Sequence, residues 1–247
     1  MKAMIFAAGL GSRLKPLTDT RPKALVEVAG KTLLEHTILK LKSSGFDEIV
    51  INVHYFAGLI VDFLKRYDIF GVTIHISDET EMLLETGGGI KKAAHFFGNE
   101  PVLIHNVDIL SDVDLYQLWQ QHIDNNSAAT LLVSNRKSSR NLLFKEGRLA
   151  GWKNNNTGEV KSPYADFDSD KYDAYAFSGI HVISPSLLKY MSEWGTKFSI
   201  IDYYLSICDK ESILSVVKND LNLIDVGKID TLAKAEDFLK NVHKQIM

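Results

Sequence analysis

Met4-Ile5-Phe6-Ala7-Ala8-Gly9-Leu10-Gly11-Ser12-Arg13-Leu14 is an apolar strand that runs into a glycine-rich turn ending in a cation, and Pro16-Leu17-Thr18 and Pro22-Lys23 follow it. Glycines let a backbone pass close to a phosphate chain and exposed N–H groups can bind its oxygens. Arg13 and Lys23 can neutralise charge that develops there. The turn reads as a cradle for a nucleoside triphosphate.

Spelling excludes two familiar alternatives. A dinucleotide fingerprint needs glycine or alanine where this chain has Leu14, and an acid about 20 residues on to hold a ribose. The next apolar run, Glu48-Ile49-Val50-Ile51-Asn52-Val53-His54-Tyr55, ends without one. A Walker loop at Gly30-Lys31-Thr32 would need its first glycine where Leu25 stands.

Outward from the turn, strand-like runs alternate with helical patterns. Ala3 to Ala8 reads as strand, Thr32 to Ser44 as helix, Glu48 to His54 as strand, Ala57 to Tyr67 as helix and Val72 to Ser77 as strand. This rhythm predicts an α/β fold with a doubly wound, mostly parallel sheet, in which ligands bind beyond the carboxyl ends of the strands. Gly89 to Phe97 reads as a further helix, and Pro101 to His105 as a buried strand that delivers Asn106 and Asp108 to the same edge. From Ala128 the pattern turns strand-rich, through Leu142 to Phe144, Arg148 to Trp152 and Ala176 to Ile183. Ser199-Ile200-Ile201-Asp202 has the form of a capping box, and Asp230 to Val242 supplies a last helix. Lys153 to Tyr175, rich in Asn, Asp, Ser and Tyr, reads as a solvated loop, with a mobile lid carrying Trp152 and Tyr164 as the alternative.

With 247 residues, 45% of them hydrophobic, the chain can bury a substantial core. A formal charge of −3 with dispersed lysines gives no basic field for nucleic acid, so an anionic ligand must be held by a local site. Cys208 is the only cysteine, which rules out an internal disulfide and suits a reducing cytoplasm. No apolar run is long enough to cross a bilayer, and no export leader is read, so a soluble cytoplasmic protein is expected. The eight histidines show no ligand spacing, and His54, His105 and His181 are expected to be packed and hydrogen-bonded in or beside strands.

The G-x-G-x-R turn followed by P-L-T and P-K resembles the signature of the sugar-1-phosphate nucleotidylyltransferases. Leu84-Glu85-Thr86-Gly87-Gly88-Gly89-Ile90 resembles a second motif of that family, specifically of its uridylyltransferase branch. Asn106-Val107-Asp108, Phe177-Ser178-Gly179-Ile180 and Ile224-Asp225-Val226-Gly227 extend the resemblance along most of the chain. It implies a Rossmann-like, GT-A-like fold in one nucleotidyltransferase domain over 1–247. A nucleotide-binding lobe at 1–124 and a strand-rich sugar-binding lobe at 125–247 are expected within it. The implied reaction joins a nucleoside triphosphate, UTP by preference, to a sugar-1-phosphate and releases pyrophosphate, with Mg²⁺ as cofactor. A GTP-dependent mannose- or heptose-1-phosphate guanylyltransferase and a non-catalytic nucleotide-sugar sensor are the alternatives.

In such a reaction both partners are anions, so the protein must offset repulsion, align them and stabilise the leaving group. Arg13 is expected to grip the β- and γ-phosphates and Lys23 to act beside the α-phosphate as the catalytic cations. The turn residues Ala8, Gly9, Leu10, Gly11 and Ser12 would bind the nucleotide. The resemblance adds the backbone of Gly87 and Gly88, exposed at a helix start, as contacts to the base. It also brings Glu85, Asn106, Ser178 and Gly179 near sugar or nucleoside hydroxyls.

Asp108 and Asp225 each end an apolar strand. By spacing alone either could be a turn or helix cap, whereas the resemblance makes them the metal pair. Asp112 and Asp114 lie near enough to be rivals, although turn and cap roles suit them better. Two positions depart from the family pattern. Val107 stands where many members have glycine, and the Glu-Lys-Pro element is reduced to Lys161-Ser162-Pro163, leaving Lys161 and Lys197 as candidate cations for the sugar phosphate.

Overall fold

The computed structural model describes residues 1–66 and 71–246, with side chains through residue 240. Along the chain run β1 (Lys2–Phe6), β2 (Glu27–Val28), β3 (Lys31–Thr32), α1 (Leu33–Ser43), β4 (Glu48–Val53), α2 (Ala57–Arg66) and β5 (Thr73–Asp78). Then come α3 (Glu85–Phe97), β6 (Val102–Asn106), β7 (Ile109–Ser111), α4 (Leu115–Asp124), β8 (Ala129–Ser134), β9 (Arg140–Lys145), β10 (Arg148–Asn154) and β11 (Val160–Lys161). The last are β12 (Asp173–Ile183), α5 (Pro185–Leu188), α6 (Ile200–Ile207), β13 (Ile213–Val217), β14 (Leu223–Asp225) and α7 (Asp230–Ile246). The final residue of the expected helix ending at Tyr67 lies outside the described residues.

These elements fall into two units that interleave in sequence. One comprises Met1–Leu83, His105–Leu115 and Asn222–Met247; the other comprises Leu84–Ile104 and Tyr116–Leu221. The expected lobes, divided at residue 124, follow chain order, whereas the units do not.

The first unit is built on parallel pairing of β1 with β4 and of β4 with β5. Ala3, Met4 and Ile5 and, beside them, Ile49, Val50 and Ile51 are buried, as expected of strands covered on both faces. Helix α1 starts where it does because Thr32 is its N-cap, Oγ1 accepting the Glu35 N–H at 3.1 Å. Leu223–Asp225 returns to this unit as β14, antiparallel to β7.

The second unit is strand-rich, as expected. β12 and β9 run antiparallel to β8 and β10 respectively, β9 also pairs with β12, and β13 lies parallel to β8. The segment read as an irregular loop is partly regular: β11 pairs with β10, Trp152 opposite Lys161, and the Tyr164 hydroxyl donates to Cys208 O at 3.3 Å. The composition hides this because a two-residue strand carries no period to detect. Among the described residues no helix is long and apolar enough to cross a membrane.

Burial of three histidines makes the fold acid-sensitive. Removal from water pushes His105 and His122 down from 6.5 to about 4 and His181 to about 3. His105 keeps a contact between Nδ1 and Asn106 O at 2.8 Å, and His122 sits among Thr130, Ser127 and Ser184. Among the described residues neither ring nitrogen of His181 has a hydrogen-bond partner, so the expectation of a hydrogen bond there is corrected: the ring packs between Phe177 and Tyr204. The unfolded chain binds these protons near pH 6.5 and the folded one does not. Their contribution is therefore complete above that pH and is lost as pH falls toward 4, at roughly 1.4 kcal/mol per unit per histidine. Calorimetric unfolding across pH 7.5 to 4 should show a falling midpoint below about pH 6.5, and a flat profile would contradict neutral burial.

Candidate active site

In the first unit the glycine turn is shaped from three directions. Gly11 has φ +64, and a Cβ there would meet Thr18 Cγ2 at 2.9 Å and Lys23 Cβ at 3.0 Å, so only glycine fits. Thr18 Oγ1 donates to Gly11 O at 2.9 Å, and Leu14, fully buried, anchors the single helical turn Ser12–Leu14. Gly9, Leu10, Ser12 and Arg13 are exposed between these anchors.

Lys23 and Asp108 form a salt bridge although they are far apart in sequence, and their side chains are only 11% and 19% exposed. Asp108 follows β6 by two residues. The Val107 N–H donates to Phe6 O at 3.2 Å, and Val107 O accepts from Thr37 Oγ1 at 3.4 Å, so the turn is tied to β1 and α1. Val107 is buried, which gives this departure from the family pattern a packing role. Asp225 reaches the same place through the β7–β14 ladder: it lies opposite Ile109, and the next residue, Val226, donates its N–H to Asp108 O at 2.8 Å. A Cβ on Gly227 would sit 2.7 Å from Asp225 Oδ1 and 3.0 Å from Arg13 Nη2, so the Arg13 guanidinium lies over that glycine beside the carboxylate.

Arg13, Lys23, Asp108 and Asp225 thus surround the glycine turn within one unit. Asp112 has a different task, since its carboxylate accepts the Asn222 N–H at 3.1 Å and Nδ2 at 2.6 Å and so fastens the returning segment. Asn106 ends β6, half-buried.

Asp108 and Asp225, on backbone segments joined by the Val226–Asp108 hydrogen bond, are of the type that suits Mg²⁺, which takes one or two protein carboxylates and completes its octahedron with phosphates and water. A third His, Cys, Asp or Glu is absent from any such group among the described residues, and the ion's usual coordination with a nucleotide does not require one.

The remaining expected residues belong to the second unit. Glu85, at φ +62, starts α3, and its carboxylate lies 3.9 Å from Lys197 Nζ, both about half exposed. Lys161, the other candidate cation, is 3.1 Å from Asp202 and 5.2 Å from the Trp152 ring centre. The expectation that Gly87 and Gly88 expose their backbone is corrected: both are buried, and both N–H groups donate to Phe198 O, at 2.9 and 3.3 Å. Packing explains the residue type, because a Cβ on Gly87 would lie 2.3 Å from the Phe198 ring and one on Gly88 2.2 Å from Thr196 O. Ser178 is buried and donates to Leu132 O at 2.7 Å, and Gly179, at φ +78, sits where the β8–β12 register shifts.

Gly88→Ala supplies a stability test of that packing. The substitution should gain about 1 kcal/mol in helix propensity but lose more to the clash with a backbone oxygen, overpacking costing roughly 1–3 kcal/mol. Urea unfolding should therefore show net destabilisation.

The family profile described as Nucleotidyl transferase matches residues 2–242. The chain belongs to the nucleotidyl transferase family. An N-acetylmuramate alpha-1-phosphate uridylyltransferase of Caulobacter vibrioides is 46% identical to it over 122 residues, which cover 49% of this chain and 47% of the relative. A mannose-1-phosphate guanyltransferase of Yarrowia lipolytica is 36% identical over 137 residues, 54% of this chain and 38% of the relative. The matched stretches thus span about half the length of these curated relatives, or less. Solved HddC from Yersinia pseudotuberculosis, complexed with GMP-PN, shares the α/β fold at a TM-score of 0.75 and 20% identity, covering 96% of this chain and 99% of that one.

Within this member of the nucleotidyl transferase family, sequence reasoning misses two residues at the base of the turn. The Ala7 and Ala8 N–H groups both donate to Asn52 Oδ1, at 2.8 and 3.3 Å, and Asn52 Nδ2 donates to Glu79 Oε1 at 2.7 Å. A signal is present: Asn52 interrupts an otherwise apolar strand, and a buried amide must find partners.

Proposed function

We propose that this chain transfers a nucleotidyl group from a nucleoside triphosphate to a sugar-1-phosphate, releasing pyrophosphate, with UTP as the preferred donor. The observation that carries the reading is the meeting of Arg13, Lys23, Asp108 and Asp225 around one glycine turn.

A phosphate oxygen of the sugar-1-phosphate forms the new bond to the α-phosphorus, and the bond from that phosphorus to the β-bridging oxygen breaks, its electron pair leaving with pyrophosphate. Arg13 offers a fork of donors to the β- and γ-phosphates, and Lys23 offers a point charge beside the α-phosphate. Asp108 and Asp225 would hold Mg²⁺, which when bound neutralises phosphate charge and orients the leaving group. Asp108 also pairs with Lys23, so neither charge is partly buried and unpaired. Glu85 and Lys197, and the backbone of Ser178 and Gly179, are the proposed sugar-side group.

UTP is preferred because the Glu85-Thr86 motif resembles the uridylyltransferase branch, and a relative named for that activity supports it. A guanylyltransferase is the second reading, supported by the relative named for mannose-1-phosphate. Pyrophosphate release with Mg²⁺ over a grid of nucleotides and sugar phosphates tests both. Turnover with UTP above GTP is expected; the reverse would favour the second reading, and binding without turnover on every pair would favour a sensor.

A further inference from the structure

We infer that Asn52 and Glu79 are positioning residues that set the direction in which the glycine turn leaves β1. The inference rests on reading that turn as the triphosphate cradle. Strand β1 ends at Phe6, whose register partner in β4 is Asn52. Beyond Phe6 the ladder stops and the side-chain amide of Asn52 takes over from backbone, one oxygen accepting two successive N–H groups, those of Ala7 and Ala8. This fixes the chain immediately before Gly9, where it would otherwise be freest to swing.

An amide can do this only in one orientation. If Asn52 were flipped, its NH₂ would face the two N–H donors. Glu79 prevents that: a carboxylate accepts and does not donate, so it selects Nδ2 as its partner and turns Oδ1 toward the turn. Asn52 and Glu79 are 2% and 1% exposed, so water cannot substitute for either partner. Glu79 is itself fixed by its backbone, with its N–H donating to Val53 O at 2.7 Å, and its carbonyl accepting from Met82 N at 3.0 Å and His54 Nδ1 at 2.6 Å. Ala7, Ala8, Asn52 and Glu79 all belong to the first unit.

The test exchanges the two functional groups. Asn52→Asp puts a second carboxylate against Glu79, and the two must separate or share a proton, which disturbs the start of the turn. Adding Glu79→Gln restores one carboxylate and one amide at unchanged net charge. The carboxylate introduced at position 52 then accepts from both N–H groups and from the amide introduced at position 79. A displacement of about 1 Å in a substrate-positioning group can cost on the order of 10²-fold. N52D is therefore expected to weaken Mg²⁺–nucleotide binding and raise its KM by roughly 10-fold or more, leaving KM for the sugar phosphate within about 2-fold. N52D/E79Q should return close to the parent. Calorimetric binding of UTP and GTP with Mg²⁺ is measured beside pyrophosphate release, on variants shown folded by circular dichroism.

Unchanged nucleotide binding in N52D, or a double variant no better than N52D, overturns the inference. So does a loss shared equally by both substrates, which a merely structural role would give. If N52D does not fold, the double variant decides alone, and weak nucleotide binding by it counts against the inference. A parent protein that binds nucleotide without turnover would refute the transfer reaction and leave the positioning role readable from affinity. Absence of nucleotide binding by the parent would end both.

Discussion

Arg13→Ala is expected to lower kcat/KM for pyrophosphate release by roughly 10²–10³-fold, the cost of losing a preorganised donor aimed at charge that develops in the transition state. In the proposed reaction the leaving pyrophosphate gains charge as the bond to the α-phosphorus breaks, and a guanidinium fork is the group best matched to two neighbouring phosphates. Arg13 can be tested cleanly because it is exposed and does not hold its own turn. Leu14, Thr18 and the backbone of Gly11 do that, so the thermal midpoint should move little. Arg13→Lys keeps the charge but loses the fork and should fall between parent and alanine variant. Steady-state kinetics on all three, with midpoints by calorimetry, separates chemistry from folding; an alanine variant within a few-fold of the parent would remove Arg13 from the proposed mechanism.

The position of Arg13 also shows what a sequence can and cannot disclose. The first strand, its glycine turn and the Ser199 cap of α6 are local, and their spelling predicts them because hydrophobic period, glycine and caps act over a few residues. Asp225 is legible as a strand-end acid, but its approach to Asp108 depends on Val226 donating to Asp108 O across a long stretch of chain, a contact no local pattern specifies. The same limit explains the interleaved units, since the return of residues 222–247 to the first unit is written in β14–β7 pairing rather than in composition.

Periodicity alone predicts helix α3 from Gly89, whereas the Glu85-Thr86-Gly-rich motif reads as the helix opening, and the helix does begin at Glu85. Three successive glycines are poor helix formers, so local propensity argues against the observed start. Phe198 and Thr196 override that preference by lying so close that only glycine fits, and Phe198 O satisfies two of the helix's first N–H groups. Asn52 escapes a sequence reading for a related reason. A polar residue in a strand looks like an interruption until the two N–H groups it serves are visible.

Asp108→Asn should abolish most turnover and, unlike Arg13→Ala, should also destabilise the ligand-free protein. The amide is a poor ligand for the Mg²⁺ proposed at this site and leaves Lys23, 11% exposed, without its counter-charge. Breaking a fully buried ion pair costs about 3–5 kcal/mol, and partial exposure here should reduce that to roughly 1–3 kcal/mol. Kinetics alone cannot separate the two effects, but a second substitution can. Lys23→Met in the Asp108→Asn background removes the unpaired charge, so stability should recover while turnover stays at or below that of the single variant. Urea unfolding and pyrophosphate release on parent, single and double variants give the four corners of the comparison once Lys23→Met alone is included. If instead the single variant is as stable as the parent, the Lys23–Asp108 pair contributes nothing to the resting state. If its turnover survives, Asp108 is not the carboxylate on which the proposed reaction depends.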